Sequence, residues 1–518
     1  MAERVPAVSM QHITKRFGSV VANQDVSLDI FRGEILALLG ENGSGKTTLM
    51  NMLSGIYYPD EGEILIDGKP AVIGSPKDAF SYGIGMIHQH FKLVDVLTAA
   101  ENIVLGLPEK LDLKAASAKI RSICESYGFE VDPKQKIYDM SVSQKQTVEI
   151  IKVLYRGADI LILDEPTAVL TPQETDRLFA ILRKMREDGK AIVIITHKMH
   201  EVESLSDRVA VLRLGKYIGS MMTRETNAQE MTNMMVGHSV SLNIERPVPV
   251  NPRTRLVVQD LSVLNEDGIT KLDHVSFTAN SGEILGIAGI SGSGQKELLE
   301  AIAGLQPTQP GSVIQYVEDD GTTENLIGKD PLKIAEMGVA LSFVPEDRLG
   351  MGLVANMDLT DNMMLRSFRR GHSVFTDRAA PRHVAEEVVR DLSVNTPNLM
   401  TPVRRLSGGN VQKVLVGREI TSAPTVLLTA YAVRGLDINS SYTIYDLINR
   451  QKKAGVAVIY VGEDLDVLVE LCDRIVVLCS GKVSGILDGR HTDKREIGLL
   501  MTRVVQPRPD TNEAVRAW

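Results

Sequence analysis

A short run early in the chain has the residue types and order of a phosphate cradle. Gly40-Glu41-Asn42-Gly43-Ser44-Gly45-Lys46-Thr47 reads G-x-x-x-x-G-K-T and runs on into Thr48-Leu49-Met50. Glycines at these intervals let successive backbone N–H groups turn toward one phosphate, and a helix N-terminus behind them adds a favourable dipole. Lys46 reaches the β and γ oxygens as a point charge, and the Thr47 hydroxyl ligates Mg2+. Downstream, Asp159-Ile160-Leu161-Ile162-Leu163-Asp164-Glu165-Pro166-Thr167 is an apolar run that ends in two carboxylates. Asp164 completes the Mg2+ shell, directly or through water, and Glu165 polarises the water that attacks the γ-phosphate. An Asp-Glu pair after a strand can also cap a helix. Downstream of a matched phosphate loop, the catalytic reading prevails.

These groups need elements that hold them. The loop follows an apolar run at residues 35–39 and precedes a helical stretch, the context in which the motif works. Short β-branched runs bounded by glycines alternate with longer mixed segments, which is the pattern of buried parallel strands linked by helices. Ligands of such sheets sit beyond the strand C-termini, so both carboxylates face the loop. The pattern then recurs. Arg32-Gly33-Glu34-Ile35-Leu36 is answered by Ser281-Gly282-Glu283-Ile284-Leu285, with Gly33 and Gly282 separated by 249 positions. Ser206-Asp207-Arg208-Val209 is answered by Cys472-Asp473-Arg474-Ile475 at an offset of 266. A period of this length is a duplicated domain rather than a solenoid. The reading is α/β: one domain at residues 1–240, a second at 255–505, and a proline-containing linker at 241–254. A tail at 506–518 is expected to fray.

The length agrees, since 518 residues exceed what one core of about 250–300 residues can hold. A net charge of −9 argues against a broad nucleic-acid footprint, which calls for a basic face. Three cysteines, Cys124, Cys472 and Cys479, are too few for a disulfide framework or a zinc site, so a reducing cytoplasm is expected. The apolar runs are far shorter than the ~20 residues a spanning helix needs, and Met1-Ala2-Glu3-Arg4-Val5-Pro6 lacks the apolar core of a signal peptide. At a membrane, another chain would supply the span.

On the phosphate loop, the acidic strand and the order of the motifs along each half, the sequence resembles the ATP-binding cassette family, over about residues 5–240 and 255–505. The resemblance implies two tandem P-loop NTPase domains of the ABC type, with ATP and Mg2+ as ligands. It implies that Gln89, in Met86-Ile87-His88-Gln89-His90, is the Q-loop residue that contacts Mg2+ and reports to a transmembrane partner. It implies that His197, in Ile194-Ile195-Thr196-His197, is the switch histidine, and that Phe17 stacks on adenine. In this family ATP is sandwiched head to tail, each phosphate loop facing the other cassette's signature loop. The second half has Leu406-Ser407-Gly408-Gly409-Asn410-Val411-Gln412-Lys413, close to the ideal L-S-G-G-Q. Ser407, Gly408, Gly409 and Asn410 would meet the γ-phosphate. The first half has Met140-Ser141-Val142-Ser143-Gln144 at offset 266, with both glycines replaced.

The second half's own nucleotide residues are altered in turn. Its loop is Gly289-Ile290-Ser291-Gly292-Ser293-Gly294-Gln295-Lys296, with Gln295 where the lysine belongs. Asp164 corresponds to Ala430, Glu165 to Tyr431 and His197 to Glu463, all at 266, while Glu346 holds the Q-loop position. Head-to-tail pairing gathers the intact parts at one site and the altered ones at the other. The expectation is a one-site ATPase in which Arg434-Gly435-Leu436-Asp437 also serves the working site.

Within the family, the fused halves, the lysine-less second loop and Val344-Pro345-Glu346-Asp347-Arg348 are similar to twin-cassette subunits of bacterial importers for simple sugars and nucleosides. That implies permease subunits in the membrane, an extracytoplasmic solute-binding protein acting indirectly, and no nucleic acid. It places the chain peripherally on the cytoplasmic face of the inner membrane, docked near Gln89 and near Glu346 to Arg348. The alternative is a soluble twin-cassette ATPase acting on ribosomes. Members of that class usually keep both sites intact and carry a long basic helical insert, and the joint at residues 239–255 is too short for one.

Overall fold

The computed structural model describes residues 5–503, apart from 19, 89–90, 108–110, 169, 197, 238–243, 266, 291, 338, 340, 346 and 369–376. Two compact units emerge, divided between residues 242 and 243. Among the described residues, the first unit contains two sheets. A four-stranded antiparallel sheet runs in the order Val20–Ile30, Val8–Phe17, Glu61–Ile66, Lys69–Ala71. A six-stranded sheet runs Lys216–Met222, Arg208–Arg213, Glu34–Leu39, Ala191–Ile195, Ile160–Asp164, Ile84–Ile87, parallel except for its first pair.

Alternation along these buried strands feeds two cores. Ile160 and Ile162 pack with Val8, Met10, Leu28 and Ile30 between the sheets. Leu161 and Leu163, pointing the other way, pack with Val148, Ile151, Leu178 and Leu182 of the covering helices. A strand buried on both faces has no polar positions to spare, which is why these runs read as continuously apolar.

The second unit repeats the plan. Among its described residues the six-stranded sheet has the order Leu341–Val344, Val426–Ala430, Ala457–Val461, Ile284–Gly289, Arg474–Cys479, Lys482–Asp488. The antiparallel sheet has Thr270–Asn280, Thr254–Leu264, Val313–Val317, Thr323–Asn325. The repeat extends to backbone conformation. Glu165 and Tyr431, at the ends of corresponding strands, have left-handed φ of 47° and 52°. Their N–H groups bond to the last carbonyls of the neighbouring strands, Ile195 and Val461, each at 2.9 Å.

At the start of the stretch read from sequence as linker, residues 244–246 dock against the second unit, while Val248 and Val250 further on are exposed. Ile244 enters its core. The Arg246 Nη1 donates to the carbonyls of Val469, Cys472 and Gly489 at 2.7, 2.9 and 2.8 Å. Residues 241–243 and the tail from 504 lie outside the described residues. Among the described residues no helix is long and apolar enough to cross a membrane.

Candidate functional site

The phosphate loop joins the strand Glu34–Leu39 to the helix Lys46–Leu53. Gly45 holds a left-handed φ of 95°, and a Cβ there would lie 2.3 Å from the Ala22 carbonyl oxygen and 2.6 Å from Asn23 Nδ2. Only glycine fits. The Asn23 Nδ2 donates to the Gly45 carbonyl at 3.2 Å, and Asn23 itself is fully buried. The Lys46 ammonium curls back on the loop, donating to the carbonyls of Gly40 at 2.7 Å and Glu41 at 2.9 Å. Burial pushes its pKa below the ordinary lysine value, against the opposing pull of Glu165, Asp164 and Glu41. Ser44 Oγ is buried without a hydrogen-bond partner in the chain. Such an orphaned hydroxyl suits a phosphate oxygen.

Thr47 and Asp164 meet, the Thr47 hydroxyl donating to Asp164 Oδ2 at 3.2 Å. Burial raises the Asp164 pKa above its ordinary value; the Thr47 hydrogen bond and Lys46 lower it, and Glu165 adds to the rise. These two oxygen donors suit Mg2+, which keeps several waters and phosphate oxygens when bound. Glu165 is half-buried beside them at the left-handed end of its strand.

Phe17 ends its strand with an exposed ring, and Tyr57 meets it edge-on at 5.1 Å between centroids. Tyr57 belongs to no motif that would mark it in the sequence. Gln89 and His197 lie outside the described residues. Around position 197, however, Glu201 is buried and accepts from the Thr167 hydroxyl and from Thr196 Oγ1 at 3.1 Å. Lys198 pairs with the same carboxylate at 3.2 Å. This polar cluster ties Thr167, in the turn after the acidic strand, to Thr196 and Lys198 beyond the strand Ala191–Ile195. At offset 266 Thr167, Thr196, Lys198 and Glu201 become Val433, Gly462, Asp464 and Val467, so the second unit lacks it.

The signature residues belong to the second unit, at the start of the helix Gly408–Thr421. Asn410 Oδ1 accepts from the Asn395 N–H at 2.9 Å, which leaves its Nδ2 to donate to Ser407 Oγ at 2.8 Å. The Asn410 N–H also points to Ser407 Oγ at 3.4 Å. With two donors on its oxygen, the Ser407 hydroxyl keeps its own hydrogen for another acceptor. In the first unit Ser141 and Gln144 form a reciprocal capping box instead, and Val142 and Ser143 carry side chains where glycines stand in the second.

The second phosphate loop is folded but neutral. Gln295 is buried, its Nε2 donating to the Ile290 carbonyl at 3.3 Å, much as Lys46 lassoes its own loop. Lys296 points away, 3.8 Å from Glu300. Asp437 is engaged as a helix cap, accepting from the Ser440 N–H at 2.7 Å. Thr171 performs that task in the first unit.

Comparison with known proteins identifies the family. The family model described as ABC transporter matches residues 23–168 and 272–429. The nucleoside import ATP-binding protein NupA of Lactococcus lactis subsp. cremoris is 41% identical over 501 residues, covering 95% of this chain and 97% of that one. The guanosine import ATP-binding protein NupO of Bacillus subtilis is 40% identical, covering 96% and 98%. The glucose import ATP-binding protein TsgD13 of Haloferax volcanii is 39% identical, covering 96% of each. Among solved structures, the archaeal ribosome recycling factor aABCE1, in complex with the stalk protein aP1, aligns with a TM-score of 0.58 at 17% identity. That alignment covers 90% of this chain and 87% of that one. At such identity the likeness is one of fold alone.

Proposed function

Because the chain belongs to the ABC transporter family, we propose that it is the ATP-hydrolysing subunit of an importer for a simple sugar or nucleoside, with one competent ATP site. The site is composite. The first cassette supplies Lys46, Thr47, Asp164 and Glu165, with Gln89 and His197 by family resemblance, and the second supplies Ser407 to Asn410. What supports this reading is complementarity in the sequence: under the head-to-tail pairing that the family resemblance implies, the altered residues of one half would share a site with the altered residues of the other. Independent decay would not sort the defects in this way. The import relatives match nearly the full length, whereas the ribosome recycling factor shares only the fold.

Lys46 leaves its loop carbonyls for the β/γ oxygens as ATP enters, trading two neutral acceptors for a charged one. Ser44 and the loop N–H groups bind the phosphates, and Thr47 and Asp164 would hold Mg2+, which when bound neutralises phosphate charge. Glu165 accepts the proton of the attacking water. The free Ser407 hydrogen and the helix start at Gly408 stabilise negative charge on the γ-phosphate. ATP binding closes the pair, and hydrolysis releases it, because ATP favours the closed state. Permease subunits convert this closure to transport. A cavity of about 290 Å3 in the second unit, lined among others by Phe343, Pro345, Met351, Arg366 and Arg418, lies beside the segment that leads to Arg348 and would take the permease contact. Glu346, expected at that contact, lies outside the described residues.

The Glu165→Gln variant is expected to bind ATP and lose all turnover. Steady-state phosphate release checks this; substantial residual hydrolysis would mean that the second phosphate loop also works, and the single-site reading fails.

A further inference from the structure

Arg348 joins loops that lie far apart in the sequence of the second unit. Its Nη1 donates to the Gly408 carbonyl at 3.2 Å and its Nη2 to the Arg434 carbonyl. Gly408 directly follows Ser407, and Arg434 opens the turn that runs to Asp437 after the strand Val426–Ala430. The Arg348 backbone is itself held in place, because the Asp347 carboxylate accepts from the N–H groups of Leu349 and Gly350 at 3.2 and 2.8 Å.

The Arg434 side chain pairs with Glu463 at 3.2 Å and lies over the Tyr431 ring at 5.8 Å. Tyr431 and Glu463 occupy the positions of Glu165 and His197 in the first unit. The altered catalytic positions of the second unit thus anchor Arg434, Arg434 offers its carbonyl to Arg348, and Arg348 grips the signature helix.

We infer that Arg348 is a positioning residue for ATP hydrolysis. Its guanidinium fork sets the register between the signature loop and the Arg434–Asp437 turn, the two loops that the second cassette lends to the first cassette's nucleotide. This rests on the composite-site reading. A guanidinium suits the role because its N–H groups diverge in a rigid plane and reach two carbonyls at once. Two arginines this close repel, and burial, followed by Arg434, holds the Arg348 pKa below its ordinary value. Glu463 offsets the second charge, which a neutral histidine in its place would not. The first half has no counterpart, with Ala168 at the Arg434 position and no arginine between Gln89 and Glu101. The device exists only in the half that donates the intact signature. Arg348 also lies in the segment proposed to meet the permease, so the same fork carries docking to the signature loop.

The test compares Arg348→Ala, Arg348→Lys, Glu463→Gln, the double variant Arg348→Ala/Glu463→Gln and Ser407→Ala in the full chain by steady-state ATPase and thermal unfolding. Arg348→Ala is expected to lower kcat about tenfold with KM for ATP changed less than about twofold, since ATP itself is held by the first cassette. Arg348→Lys should fall between, because one ammonium cannot span both carbonyls. Glu463→Gln, at a half-exposed side chain, should lower kcat in the same direction and add little to Arg348→Ala, the mark of one shared chain of contacts. Wild-type kcat in Glu463→Gln, or in a folded Arg348→Ala, overturns the inference. If Ser407→Ala loses rate while those two keep it, only this inference fails. If Ser407→Ala keeps full rate, the composite site fails.

Discussion

Lys46 and Gln295 occupy equivalent positions and both bond back to their own loops, Lys46 to two carbonyls and Gln295 to one, so the chief difference between them is charge. Lys46→Gln is therefore expected to leave the unfolding midpoint of the first unit nearly unchanged while abolishing turnover, as read by calorimetry and phosphate release. The reverse change, Gln295→Lys, is not expected to create a second active site, because Ala430 and Tyr431 supply neither a metal carboxylate nor a base. Asn410 allows a sharper test. Its amide directs the Ser407 hydrogen outward, whereas in Asn410→Asp the carboxylate accepts that hydrogen and withdraws it from the phosphate. A fall in kcat of about 10- to 100-fold is expected, the usual effect of losing one transition-state donor. Asn410→Gln keeps a donor and should retain most of the rate.

Both units use a buried asparagine to shape the loop that leads into the helix after the Q-loop position. Asn102 accepts from the Val94 N–H at 2.8 Å and donates to the Val94 and Thr98 carbonyls. Asn362 does the same with Val354, Met357 and Asp358. Asn102→Ala strands these backbone groups in a dry interior and is expected to cost about 1–3 kcal/mol of first-unit stability, measured by denaturant unfolding. The elements themselves could be read from short-range pattern. Uninterrupted apolar runs marked the central strands, and glycine spacing marked the loop between the strand Glu34–Leu39 and the helix Lys46–Leu53. Asn102 could not be assigned a role in this way, since its bonds depend on how a loop folds back over a helix.

Each unit carries its own pair of sheets and cores, and residues 244–246 are committed to the second. Arg246→Ala removes three hydrogen bonds from a single guanidinium and should lower the unfolding transition of the second unit by about 1–3 kcal/mol, leaving the first in place. Calorimetry with MgATP, which stabilises whichever unit binds it, identifies the transitions. Duplication, the phosphate loop, the acidic strand and the sorted defects are properties of residue order, because helix and strand geometry relates close neighbours in a fixed way. The Asn23 brace, the Glu201 cluster, the Arg246 anchor and the Arg348 fork were decided only in three dimensions. Each joins groups from elements distant along the chain, and nothing in local spacing specifies which of many polar side chains will find a given carbonyl once the sheets and helices pack.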